Sequence, residues 1–103
     1  MATIRDYHPR AAGLPWVRKE DYAAFLDIME DADGLPDTWE RFVELSEKAE
    51  RGLKADGMIV ERVYIDPDTF PDWCGSNGVR VNSKGRMKFA GSVVVEKYGR
   101  NAS

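Results

Sequence analysis

The sequence predicts an α+β fold, mostly helical and organised as a single domain over residues 1–103. Two observations predict it. Two N-terminal segments repeat apolar residues at every third or fourth position, which is typical of helices that bury one face. Residues 58–65 instead form a β-branched and aromatic run, which is typical of a strand. Apolar and charged fractions of 43% and 32% are those of an ordinary globular chain.

Residues 1–17 show no periodicity and contain breakers such as Gly13 and Pro15. We expect an irregular N-terminal arm that packs across the domain through residues such as Trp16. A first helix is predicted over residues 18–32, where one apolar stripe consists of Tyr22, Phe25, Leu26 and Met29.

Residues 36–40 open a second helix, since Asp37 is suited to cap it and Glu40 to complete a capping box. It should end at residues 55–57, where Gly57 favours termination. We expect the two helices to form an antiparallel hairpin.

The predicted strand at 58–65 needs a partner, because its backbone N–H and C=O groups require hydrogen bonds. Four partners are open: residues 79–81, residues 3–4, residues 93–95, or a second copy of the chain. The small sheet is therefore completed either within the chain or by dimerisation.

A short helix should follow, beginning near Asp68 and ending near residue 77. Asn82 or Ser83 then caps a basic C-terminal segment. Its helical spacing is weakened by two glycines and by the valine run at 93–95, so residues 88–98 form either helix or strand.

Composition excludes several classes of protein. No apolar run reaches the length of about 20 residues that a membrane span requires, and residues 1–8 lack the apolar core of a secretory signal. The single cysteine, Cys74, has no partner for an internal disulfide. We therefore expect a cytoplasmic protein that does not contact membranes.

No catalytic constellation is recognisable. Cys74 lies beside Trp73 and is best explained as a core residue, while the only histidine, His8, lies in the expected arm. The acidic residues near Gly34 and Asp68 are explained as helix caps rather than metal ligands. The sequence predicts no enzyme, no cofactor and no metal.

The net charge of −3 is divided unevenly along the chain. Residues 20–50 hold eleven acidic residues and two basic ones, whereas residues 78–103 hold six basic residues and one acidic residue. This distribution indicates either two solvated helix faces or a basic surface that faces a polyanion.

The order of strand, short helix and basic segment resembles the ribbon–helix–helix DNA-binding fold, with residues 62–65, 67–77 and 83–98 as its parts. The resemblance implies a dimer that inserts paired strands into the major groove. A helix-turn-helix arrangement that reads DNA through residues 84–88 fits equally well. The residues expected to contact nucleic acid are Arg62, Tyr64, Arg80, Lys84, Arg86 and Lys88.

Our main functional expectation is a small non-enzymatic binding or regulatory module that acts through a protein partner, with a homodimer as one form. A dimeric DNA-binding regulator is the alternative. Aromatic side chains beside charge are typical of partner surfaces. The residues expected to form such a surface are Trp16, Trp39 and Tyr64.

Overall fold

The computed structural model describes residues 10–99 and contains, within them, two strands and four α-helices joined by short turns. In chain order the elements are β1 (Ala11–Trp16), α1 (Tyr22–Ile28), α2 (Trp39–Ala55), β2 (Ile59–Tyr64), α3 (Phe70–Ser76) and α4 (Ser83–Tyr98). Short 3-10 turns at Lys19–Asp21 and Ala32–Gly34 flank α1. No helix among these residues is both long enough and apolar enough to cross a membrane.

The two strands pair in parallel, from Ala11 opposite Ile59 to Trp16 opposite Tyr64. Parallel strands require a crossover between them, and α1 and α2 lie in that crossover. The general prediction of a helical domain with a small sheet completed within the chain is confirmed.

The expected irregular arm is wrong for residues 11–16, which form β1 and supply the partner of β2. The candidate partner at 93–95 is also wrong, because those valines lie within α4. Residues 79–81 form a loop instead, with the Val81 carbonyl accepting a bond from the Glu30 N–H. The candidate at residues 3–4 and the remainder of the expected arm up to residue 9 lie outside the described residues.

Two apparent strand breakers in β1 have structural reasons. The N–H of Ile59 donates to the Arg10 carbonyl and that of Ile65 to the Trp16 carbonyl, so even-numbered residues of β1 turn their backbone groups towards β2. Pro15 is odd-numbered, and its missing N–H falls on the outer edge, where the sheet does not use it.

Gly13 permits close packing of α4 on β1. A β-carbon there would lie 2.9 Å from Cγ2 of Val94 and closer still to the Ala90 carbonyl oxygen. This contact explains why glycine occupies a strand position, since any side chain would push the helix away.

Each face of the sheet is covered by one long helix. On the α4 side, a small core forms from the buried residues Ala11, Val63, Ala90 and Val94. On the α2 side, the Trp16 ring meets Phe42 edge to face at a centroid distance of 6.4 Å. The larger core is made by the buried residues Val17, Tyr22, Phe25, Met29, Phe42, Ile65, Phe70 and Cys74.

The helix predicted over residues 18–32 is shorter than expected, because the α-helical part ends at Ile28. Met29 is already extended, and the next N–H, that of Glu30, bonds across to Val81. Contact between α1 and α2 runs through Phe25 and Phe42, with ring centroids 6.0 Å apart. Their antiparallel arrangement stays a prediction.

Two helix caps refine the expected boundaries. Helix α2 is capped by Thr38 rather than Asp37, since the Thr38 hydroxyl accepts the Arg41 N–H at 3.2 Å. Asn82 caps α4, its side-chain oxygen accepting the N–H groups of Lys84 and Gly85. This cap starts a continuous helix, so the open choice for residues 88–98 is settled as helix.

Candidate docking groove beside strand β1

Arg62, expected to face DNA bases, is partly exposed and is paired with a buried carboxylate of α2. Its Nε and Nη2 donate to the two oxygens of Glu50, each at 2.8 Å. The guanidinium carbon also lies 3.9 Å from the centroid of the Trp16 ring. The hydrogen bonds from Arg62 lower the pKa of the Glu50 carboxyl and raise the pKa of Arg62 itself. This side chain therefore joins sheet to helix.

The arginines of the basic segment are engaged in the same way. Arg86 donates to both oxygens of Asp31, at 2.8 and 3.0 Å, and only 11% of its side chain is exposed. Arg80 donates to Glu30 at 2.7 Å. The hydrogen bond from Arg86 lowers the pKa of the Asp31 carboxyl. The uneven charge along the sequence is thus partly balanced by contacts across the fold.

Lys84 and Lys88 differ from these arginines. Both are exposed on α4, and neither makes an ion pair within residues 10–99. They lie four residues apart and therefore on one side of the helix. Of the six residues expected to contact nucleic acid, these two lysines provide the free positive charge.

The three aromatic residues expected to form a partner surface differ in their exposure and contacts. Trp16 is 3% exposed and belongs to the interior. Trp39 is half-buried, and its indole N–H donates to the Val17 carbonyl at 2.8 Å. Tyr64 is 47% exposed, with the Arg18 guanidinium 5.5 Å from its ring centroid. They do not form one exposed cluster.

Cys74 is fully buried in the larger core, where the sequence placed it. Burial, together with the nearby charge of Glu30, raises the pKa of its thiol. A raised pKa reduces the thiolate fraction, which is the nucleophilic form. The environment of Cys74 therefore favours a packing role.

Two surface depressions lie away from the outer edge of β1. One, of about 310 Å³, lies beyond the carboxyl ends of both strands and is lined by Arg18, Asp21, Tyr64, Ile65, Asp66 and Asp68. The other, of about 410 Å³, surrounds the start of α4 and is lined by Gly78, Val79, Arg80, Asn82, Ser83 and Lys84. No group of three or more His, Cys, Asp or Glu side chains in the described part of the chain is arranged to hold a metal ion.

A third depression is predominantly apolar and lies along the outer edge of β1. We call it the edge groove. Its volume is about 340 Å³, within the range of about 300–1,000 Å³ typical of ligand sites. It is lined by Ala12, Gly13, Leu14, Leu53, Met58, Met87 and Gly91.

Three parts of the fold build the edge groove. Strand β1 supplies its floor, α4 supplies Met87 and Gly91, the last turn of α2 supplies Leu53, and the turn before β2 supplies Met58. Met87 is 58% exposed, and a β-carbon at Gly91 would find no atom within 4 Å. The groove is therefore open to an occupant from outside.

Apolar exposure continues along the same side of α4. Val95 follows Gly91 by one turn and is 54% exposed. Exposed apolar side chains beside an apolar groove are characteristic of interaction sites.

Sequence reasoning did not find the edge groove. The sequence predicts an irregular arm over residues 11–16, so the strand that forms the floor of the groove was not expected. A signal existed in α4, where Met87, Gly91 and Val95 recur at one-turn intervals apart from the buried Ala90 and Val94.

Comparison of the chain with protein-family models, with curated proteins and with solved structures gives no significant match.

Proposed function

We propose that this protein is a non-enzymatic, cytoplasmic binding module that docks a protein partner in the edge groove. The observation that carries the proposal is the coincidence of an apolar groove with an outer strand edge. The sheet of residues 10–99 contains only β1 and β2, so among these residues no third strand lies beside the outer edge of β1 at Gly13 and Pro15. An uncovered edge beside apolar side chains is a common docking surface for another polypeptide.

The composition of the edge groove also supports a polypeptide as the occupant. The groove is rich in methionine and leucine, whose flexible or branched side chains adapt to apolar partner residues. Burying one such partner side chain contributes about 1.5–3 kcal/mol. The single cysteine is buried among core side chains, which fits a packing role for Cys74.

Site-specific photo-crosslinking tests this proposal. A diazirine amino acid replaces Met87 in cells that express the chain, and a matched chain carries it at Leu45. Leu45 is also an exposed apolar helix residue but does not line the groove. We expect a covalent product with a different polypeptide from position 87 and none from position 45.

A second variant, Gly91→Leu, checks that the product depends on the groove. It places a side chain where no atom lies within 4 Å of the β-carbon position, so the fold should persist while the groove is filled. The crosslink at position 87 should then be lost. The same yield at positions 45 and 87, or a product formed only with a second copy of this chain, would overturn the proposal.

A further inference from the structure

The outer edge of β1 offers backbone groups for hydrogen bonding. The backbone N–H and C=O groups of the even-numbered residues of β1 point towards β2. Those of the odd-numbered Gly13 and Pro15 therefore point to the opposite side. Gly13 presents an N–H and a carbonyl there, and Pro15 presents a carbonyl. A strand laid along this edge would find one donor and two acceptors at the floor of the edge groove.

Two lysines of α4, Lys84 and Lys88, lie near the groove residue Met87 on the helix without lining the groove themselves, and we call them the basic rim. Lys84 lies one turn before Met87 on α4, Lys88 lies next to Met87, and both lysines are exposed. Neither forms an ion pair in the part of the chain that the structure describes, in contrast to Arg62, Arg80 and Arg86. An occupant with carboxylates on its flanks would therefore complement the rim.

We infer that the occupant is an extended segment of a partner protein, apolar at its centre and acidic at its flanks, that adds a strand to the outer edge of β1. This inference rests on the proposed function. Backbone hydrogen bonds to Gly13 and Pro15 give the segment its orientation, and alternate side chains enter the groove beside Met87 and Gly91. Carboxylates on the flanks meet Lys84 and Lys88.

A second copy of the chain fits this surface less well. A two-fold dimer joins the same patch on both copies, so Lys84 and Lys88 of both copies would enter one interface. Like charges placed together across an interface oppose association. The occupant is therefore assigned to a different protein.

The probe for the test is a library of displayed peptides of random sequence, selected in parallel on wild type and on Gly91→Leu. A control target is Gly75→Leu, which makes the same change at an exposed glycine of α3 that also has no atom within 4 Å of its β-carbon position. We expect enrichment on wild type and Gly75→Leu of peptides with β-branched centres and Asp or Glu flanks. Affinity of an enriched peptide should fall at least about tenfold on Gly91→Leu.

A charge-reversed target then tests the rim. On Lys84→Glu/Lys88→Glu, the enriched flanks should change from acidic to basic, while the apolar centres persist. Far-ultraviolet circular dichroism and urea unfolding establish that each target is folded. An enriched peptide methylated at the backbone nitrogens that face β1 should also lose affinity, because strand addition needs those N–H groups.

Three results would overturn the inference. The first is that no enriched peptide binds wild type more tightly than Gly91→Leu. The second is that the enriched peptides have helical spacing or lack acidic flanks. The third is that wild type self-associates and Gly91→Leu abolishes that association. The crosslink at position 87 distinguishes a failure of the proposed docking function from a failure of the assigned occupant. If it captures another protein while the peptide selection fails, only the assignment of the occupant is lost.

Discussion

Arg62 and Glu50 form a two-point ion pair that joins β2 to α2, with both N–O distances at 2.8 Å. The same guanidinium stacks on Trp16, which is buried in the sheet face beneath it. The planar fork of arginine matches a carboxylate in a way that lysine does not. A residue that looks like a nucleic-acid contact in the sequence is therefore part of the attachment of α2 to the sheet.

The Arg62–Glu50 pair makes stability depend on pH. Arg62 lowers the pKa of Glu50 below the value of about 4.3 expected in the unfolded chain. The pair therefore stabilises the fold above that pH, and the contribution is lost as pH falls through the lower, folded-state pKa. At neutral pH, Glu50→Gln should reduce the free energy of unfolding by about 1–2 kcal/mol, a modest loss because water reaches the partly exposed Arg62.

Urea unfolding from neutral to acidic pH measures this effect, and the gap between wild type and Glu50→Gln should close at the acidic end. Glu44→Gln is the control, since its pairing with Arg41 is exposed and confined to α2. We expect that change to alter stability by less than about 0.5 kcal/mol. A constant gap for Glu50→Gln at all pH values would contradict the role of its charge.

Two glycines should respond in opposite ways to the same substitution. Gly13→Ala should destabilise the fold by about 1–3 kcal/mol, because the new methyl group collides with Ala90 and Val94 of α4. Gly91→Ala should stabilise it by about 0.5–1 kcal/mol, since alanine favours the helix and the space is open. Thermal and urea unfolding of both variants provide the comparison, and equal effects at the two positions would refute the packing of α4 on β1.

Replacing arginine with lysine should distinguish the two arginines of the basic segment. Arg86→Lys loses the fork to Asp31 in a mostly buried site, so we expect a loss of about 1–2 kcal/mol in the free energy of unfolding. Arg80→Lys changes a side chain that is 78% exposed and should cost less than about 0.5 kcal/mol. Urea denaturation tests both, and a larger effect at Arg80 would show that the Asp31 contact is not important.

The DNA-binding alternative has a direct test. Since Arg62, Arg80 and Arg86 are paired with carboxylates, we expect no measurable affinity for duplex DNA even at low salt. Fluorescence anisotropy with a labelled duplex of random sequence measures it. Binding that weakens steeply with added salt and disappears in Lys84→Ala/Lys88→Ala would instead revive a role for α4 in phosphate contact.

Local patterns were sufficient for several elements. Helix α2 carries an apolar stripe and a capping signal, and the structure confirms it within a residue or two of the predicted bounds. The β-branched run at Ile59–Tyr64 and the cap at Asn82 are equally local signals, and both hold. In each case the residues that decide the conformation lie within a few positions of one another.

Strand β1 shows where local patterns fail. Gly13 and Pro15 have poor intrinsic preference for strands, and nothing nearby in the chain reverses that preference. Contacts elsewhere in the fold explain why they occur in a strand. Helix α4 approaches closely at Gly13, and Pro15 has its missing N–H on the outer edge of the sheet. The ion pairs are likewise not predictable from local sequence, because Arg86 and Asp31 are 55 positions apart and meet only in the folded chain.

The sequence by itself determined the α+β class, the position of β2, the helices α2 and α3, the start of α4, and the burial of Cys74. These follow from periodicity, capping and side-chain hydrophobicity, which act over one or two helical turns. Only the tertiary structure decided the partner of β2, the pairing of Arg62, Arg80 and Arg86 with acids, and the existence of the edge groove. Those features join residues distant in the sequence, and their free energy depends on packing and charge contacts that form only when the chain is folded.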